Sequence, residues 1–71
     1  MTKVSAYPNL RAEMARNGVS VRDMETALNM PEHRAYARLS GRTPFTLREA
    51  IKLRSIFFPA LTIEYLFEQG E

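Results

Sequence analysis

Ser20-Val-Arg-Asp-Met-Glu-Thr-Ala-Leu-Asn-Met-Pro-Glu-His-Arg-Ala-Tyr-Ala-Arg-Leu-Ser-Gly41 decides the fold. In its first half Val21, Met24, Ala27 and Leu28 recur at helical spacing; in its second half Ala35 and Leu39 form an inward pair. Asn29-Met30-Pro31 interrupts the pattern, since proline has no amide to give a continuing helix. Ser20 with Asp23 three residues on is an aspartate version of the capping box, and Ser40-Gly41 supplies a stop. The stretch therefore predicts two short helices, the second from about Pro31 to Leu39, joined by a three- or four-residue turn. Two such helices cannot bury both apolar faces on each other alone.

The flanks supply the missing surface. Pro8 suits the first turn of a helix, where its lost N–H costs nothing. Leu10 and Met14 follow on one face, and Asn17-Gly18 ends that helix. Downstream, Thr46-Leu47-Arg48-Glu49 matches the S/T-x-x-E capping box, reached through an extended Thr43-Pro44-Phe45. Leu47, Ala50, Ile51, Leu53, Phe57 and Phe58 then predict a wide core-facing arc, closed by Pro59. Thr62 caps a last short helix, with Leu61 placed to staple onto Leu66. Arg54 falls inside the apolar arc and is expected to lay its methylenes along the core and its charge at the edge. Ile56 falls near the polar side, either as a stray exposed residue or as a contact with a second chain. No segment alternates with period two, so the fold class is all-α, five helices in one domain spanning residues 1–71.

Composition removes several functions. A chain of 71 residues buries about 60% of the surface that its unfolded form exposes, which leaves little stability in reserve. Cysteine is absent and His33 is the only histidine, so neither a disulfide, a thiolate metal site nor a histidine-rich one can form in one chain. There is no Gly-rich phosphate loop, Ser20 and Ser40 have cap or turn roles, and Asp23, Glu25 and Glu32 lie on a motif without an evident pocket. The expectation is a non-enzyme without cofactors. Met1–Ala6 lacks the apolar core of a leader, and Ile56–Leu61 is far too short for a membrane span, so a cytoplasmic protein is expected.

Formal net charge is only +2, but it is unevenly spread. Arg34, Arg38, Arg42, Arg48, Lys52 and Arg54 face a single acid, Glu49, across the middle of the chain, while Glu64, Glu68 and Glu71 meet no base in the tail. A basic middle suits a polyanion; it equally suits a solvated helical surface.

Residues 19–42 resemble, without gaps, the helix-turn-helix of the Cro and phage-repressor family. Thr43-Pro44-Phe45-Thr46-Leu47-Arg48-Glu49-Ala50, and Phe57-Phe58-Pro59 followed by Glu64-Tyr65-Leu66-Phe67, are similar to small family members from phages and prophages. With the first helix included, the resemblance covers about residues 8–67. It implies a five-helix lambda-repressor-like domain (motif about 20–41) and a transcription regulator that binds double-stranded DNA, possible as a homodimer. The recognition helix would enter the major groove with Glu32, His33, Tyr36 and Ala37 toward the bases, while Arg22 and Arg42 grip the backbone. The chain departs from the family pattern at Val21, where glutamine is usual, and at Glu25, where a small residue is usual. It departs again at Asn29 in place of the turn glycine, and at Pro31 and Glu32 in place of polar residues.

Other readings stand beside these. Tyr36 also fits the edge of the core, and His33 an ordinary surface position. Arg34 and Arg38 could pair with Glu25 or Asp23 rather than phosphate, and Glu25, between packed helices, is expected to find Arg54 or Arg38. The acidic start of the recognition helix also suits an antirepressor or modulator that binds a basic repressor protein.

Overall fold

The computed structural model describes residues 6–70, and these form five helices and no strand. In chain order they are α1 (Pro8–Arg16), α2 (Val21–Leu28), α3 (Glu32–Ser40), α4 (Leu47–Phe57) and α5 (Ile63–Leu66). The all-helical expectation and its five segments hold, with α3 starting one residue later than expected and ending one later. Residues 1–5, on which the reading of the N-terminus rests, and residue 71 lie outside the described range. Among the described residues no helix is long and apolar enough to cross a membrane.

The boundaries follow the local chemistry. Ser20 Oγ accepts the Asp23 amide at 3.1 Å while the Asp23 carboxylate accepts the Ser20 amide at 2.9 Å. Thr46 and Glu49 exchange the same two bonds at 3.1 and 3.0 Å. Each box satisfies amides that the first helical turn leaves without partners. Thr62 Oγ1 accepts the Tyr65 amide at 3.1 Å and so opens α5. Asn29 closes α2 in the left-handed conformation, φ 55°, which a short polar side chain tolerates better than most.

The helices meet around one cluster. Leu10, Met24, Leu53 and Leu66, from α1, α2, α4 and α5, are fully buried, and Ala35 and Leu39 join them from α3. Burying a side chain of the leucine or methionine size stabilises by about 1.5–3 kcal/mol, so these four are the main support of a small fold. α2 packs against both α3 and α4, and α5 against α1 and α4. Tyr7, Phe45 and Phe67 close one end with three edge-to-face contacts, ring centres 5.0–5.8 Å apart. Leu61 and Leu66 enter the same core, as the staple requires.

Two expectations for α4 change. Leu47 is 70% exposed and Ile51 45% exposed, so the covered strip is narrower than the apolar arc. Ala50 and Leu53 are buried and Phe57 half-buried; Leu47 and Ile51 fall past the edge of what α2 and α5 cover. Arg54 is half-buried, and its Nε donates to the Leu61 carbonyl at 2.6 Å, tying the end of α4 to the loop before α5. Ile56 is exposed.

One buried acid has no counterpart in the sequence reading. Glu13 is 7% exposed and accepts from Arg16 at 2.6 Å, from the Tyr65 hydroxyl at 2.9 Å and from Asn17 Nδ2 at 3.3 Å. Asn9 Nδ2 also donates to the Tyr65 carbonyl at 2.8 Å. Polar bonds therefore join α1 to α5, and the hydroxyl bond to the Glu13 carboxylate holds the Tyr65 phenol above its usual pKa.

Candidate nucleic-acid interface

The later helix of the 20–41 pair has one covered side and one open side. Ala35 and Leu39 face the core, and Met30, in the turn before the helix, is buried with them. Pro31 precedes α3 in an extended conformation, and its carbonyl accepts the Arg34 and Ala35 amides at 3.1 Å each. Gly41 ends the helix at φ 86°, and a Cβ there would stand 2.6 Å from Ala6 Cβ, so only glycine fits. Across the helix, Arg38 Nε and Nη2 grip the Glu49 carboxylate at 2.9 and 3.2 Å, and Nη1 donates to Thr43 Oγ1 at 2.7 Å. The bond from Arg38 holds the Glu49 carboxyl below the usual glutamate range, and the same bond raises the Arg38 guanidinium.

The open side carries most of the expected contact residues. Glu32 and His33 are exposed on the first turn, and Tyr36 is 49% exposed one turn further on. Tyr36 lies between two shallow grooves. One runs to Arg22, Glu25 and Glu32 at the start of α2 and α3. The other runs to Ser40, Gly41 and Arg42 at the end of α3. The structure thus brings Arg22, Glu32, Tyr36 and Arg42 to one continuous face, with an exposed arginine at either end. His33 is exposed on the same helix but lines neither groove.

Ala37 is a correction. It is 8% exposed, so its methyl cannot reach a base edge as expected. Its side chain is one carbon long, and its helical neighbours three and four residues earlier are the much longer Arg34 and His33. The following turn also folds back beside it: the Ala37 carbonyl accepts Ser40 Oγ at 3.2 Å and the Thr43 amide at 3.3 Å.

The expected pairing of Glu25 is also corrected. Arg38 is engaged by Glu49 and Arg54 by the Leu61 and Pro59 carbonyls. Among the described residues the ion pairs are Arg16–Glu13 and Arg38–Glu49, neither of which uses Glu25 or Asp23. Glu25 instead remains half-buried on the groove wall beside Arg22.

Sequence reasoning weighed Arg34 for an ion pair or a phosphate but left it out of the site, and it passed over Ser40 and Gly41. Arg34 is exposed and stands next to Ala37 on the outer arc of α3, a position that helical spacing could have identified. Ser40 and Gly41 had been read only as a stop.

Chemically, the face can donate from two or three guanidinium groups, donate or accept at His33 and Tyr36, and accept at Glu32. Among the described residues no cluster of three or more acidic or histidine side chains could hold a metal ion. No family model, no curated protein and no solved structure matches the chain.

Proposed function

We propose that this chain is a non-catalytic, sequence-specific DNA-binding regulator of transcription, of the Cro and phage-repressor type. In this reading the five helices form a lambda-repressor-like helix-turn-helix domain, and α3 enters the major groove. The observation that supports it best is the exposed face of Glu32, His33 and Tyr36, bounded by Arg22 and Arg42 and backed by a helix pinned to α4. An α-helix fits the major groove, where Glu32 would accept from a cytosine amino group and Tyr36 and His33 would meet base edges or phosphates. Arg22 and Arg42 would take phosphates, which fix register and carry no sequence information. Arg34 joins them as a third backbone contact.

The test is selection from a random duplex pool, followed by binding measured at graded salt. A recovered consensus, bound more weakly as salt rises, supports the reading. An absence of retained duplex at low salt overturns it.

A second reading is favoured by one observation, the two carboxylates of Glu25 and Glu32 on the groove wall. An antirepressor or modulator would present these acids to the basic face of a repressor protein. Such a chain would co-purify with a repressor and retain no DNA.

A further inference from the structure

Asn17-Gly18, where α1 stops, is the one place where an asparagine precedes a residue without a side chain; Asn9 precedes Leu10 and Asn29 precedes Met30. Gly18 stands at φ 68° and the Val19 amide reaches back to the Met14 carbonyl at 2.8 Å, so α1 ends in a Schellman cap. The companion bond of that cap, from the Gly18 amide to the Ala15 carbonyl, is 3.4 Å long, beyond the usual range. Both residues are exposed, and nothing lies within 4 Å of where a Gly18 Cβ would stand. The Gly18 nitrogen is thus loosely held and its residue uncrowded.

The asparagine amide is tied to the bond network between α1 and α5. Asn17 Nδ2 donates to the Glu13 carbonyl at 2.8 Å and to Glu13 Oε1 at 3.3 Å. The same buried carboxylate accepts from Arg16 and from the Tyr65 hydroxyl.

We infer that Asn17-Gly18 is a site of spontaneous deamidation, and that the reaction loosens α5 from α1. The Gly18 nitrogen attacks Asn17 Cγ, and the new N–Cγ bond closes a five-membered imide. The Cγ–Nδ2 bond breaks, and ammonia leaves with the proton that the Gly18 amide gives up. Water, the only co-reactant, then opens the imide at one of its two carbonyls. Opening at Cγ leaves aspartate on the ordinary chain; opening at the Asn17 backbone carbonyl leaves isoaspartate, with the chain running through Cγ. Side chains at Leu10 and Met30 crowd the same attack at Asn9 and Asn29, whereas glycine has none. In the folded chain the bonds to Glu13 must release and the Asn17 ψ, 7°, must turn. Fraying of the last turn of α1 is enough for that; global unfolding is not required. Either product sets a carboxylate where the amide stood. It cannot donate to Glu13, and it adds a like charge four residues from a buried acid.

The test ages the purified chain in mildly alkaline buffer and follows the tryptic peptide of residues 17–22 by chromatography and mass spectrometry, against an unaged sample. Aspartate and isoaspartate forms accumulate at Asn17 at least about tenfold faster than at Asn9 or Asn29. A folded chain that converts no faster at Asn17 than at the other two, or converts only where urea unfolds it, overturns the site. Asn17→Asp, the ordinary-chain product, melts roughly 5 °C below wild type. In a Tyr65→Phe background that loss falls to about half or less, because the bond it acts through is already gone. An Asn17→Asp chain that melts with wild type, or loses as much without the Tyr65 hydroxyl, overturns the loosening. No nucleic acid enters either measurement, so both outcomes are independent of the DNA reading.

Discussion

Arg38 and the Thr46 amide share one oxygen of Glu49, at 2.9 and 3.0 Å. A single carboxylate therefore both opens α4 and fastens α3 to it. Side-chain exposure at the pair is 16% and 19%, so the bond is largely sheltered from solvent. Glu49→Ala is expected to destabilise by about 2 kcal/mol, because it leaves a sheltered guanidinium without its partner. In a domain of this size that lowers Tm by roughly 10 °C, read by thermal melting in circular dichroism.

The same carboxyl sets an acid limit. Its folded-state pKa is depressed, so its contribution is fully present above the ordinary glutamate value, about 4.3, and is lost as pH falls through the lower folded value. Melting temperatures of wild type and Glu49→Gln should therefore converge as the solution is acidified through that window. Parallel curves would show that the pair contributes nothing.

At the alkaline end the sign reverses. The Tyr65 phenol is raised by its bond to Glu13, so that contribution is complete below the ordinary tyrosine value, about 10, and is lost as pH rises through the higher folded value. Tyr65→Phe should melt lower than wild type at neutral pH, and the gap should narrow in alkali. The ultraviolet absorbance of tyrosinate, followed against pH, should show one phenol titrating late in wild type only.

Asn29 and Gly41 are both left-handed, at φ 55° and 86°, and their substitutions should behave differently. Asn29→Gly is expected to leave stability level or slightly raised, while Asn29→Ala costs about 1 kcal/mol from the backbone conformation alone. Gly41→Ala should cost more, since the new Cβ also collides with Ala6. Denaturant melts of the three variants give this order directly; equal losses for the two alanines would reject the close approach at Gly41.

For the α3 face, Arg22→Ala and Arg42→Ala should each weaken binding to every duplex alike. Each should also reduce the slope of log affinity against log salt by about 1. Glu32→Gln should change base preference at one position and leave that slope almost intact. A slope unmoved by either arginine would remove them from the phosphate contacts.

Most of the fold was legible because its signals are local. Ser20 with Asp23, Thr46 with Glu49, and Asn29 before Pro31 act within a few residues, so the chain announces where helices begin and stop. What escaped depends on distant partners. Glu13 and Tyr65 are 52 positions apart, and nothing near either foretells their bond. Periodicity marked the arc of α4 as apolar but could not say how much of it α2 and α5 would cover, which is why Leu47 and Ile51 were misplaced. At the face, exposure of Glu32 and His33 followed from their register; Tyr36 was open between the face and the edge of the core and is 49% exposed, whereas Ala37 was lost because register says nothing about the height of neighbouring side chains.

The Gly70 amide bonds the Ala6 carbonyl at 3.0 Å, and Ala6 sits against Gly41. Residues 6 and 70 thus stand side by side, close to the arginine that follows α3. An affinity handle or reporter joined directly at residue 6 or 70 would emerge near one corner of that face. A short bridge joining the two points could instead make a ring, with the opening moved to the exposed bend at Asn17-Gly18.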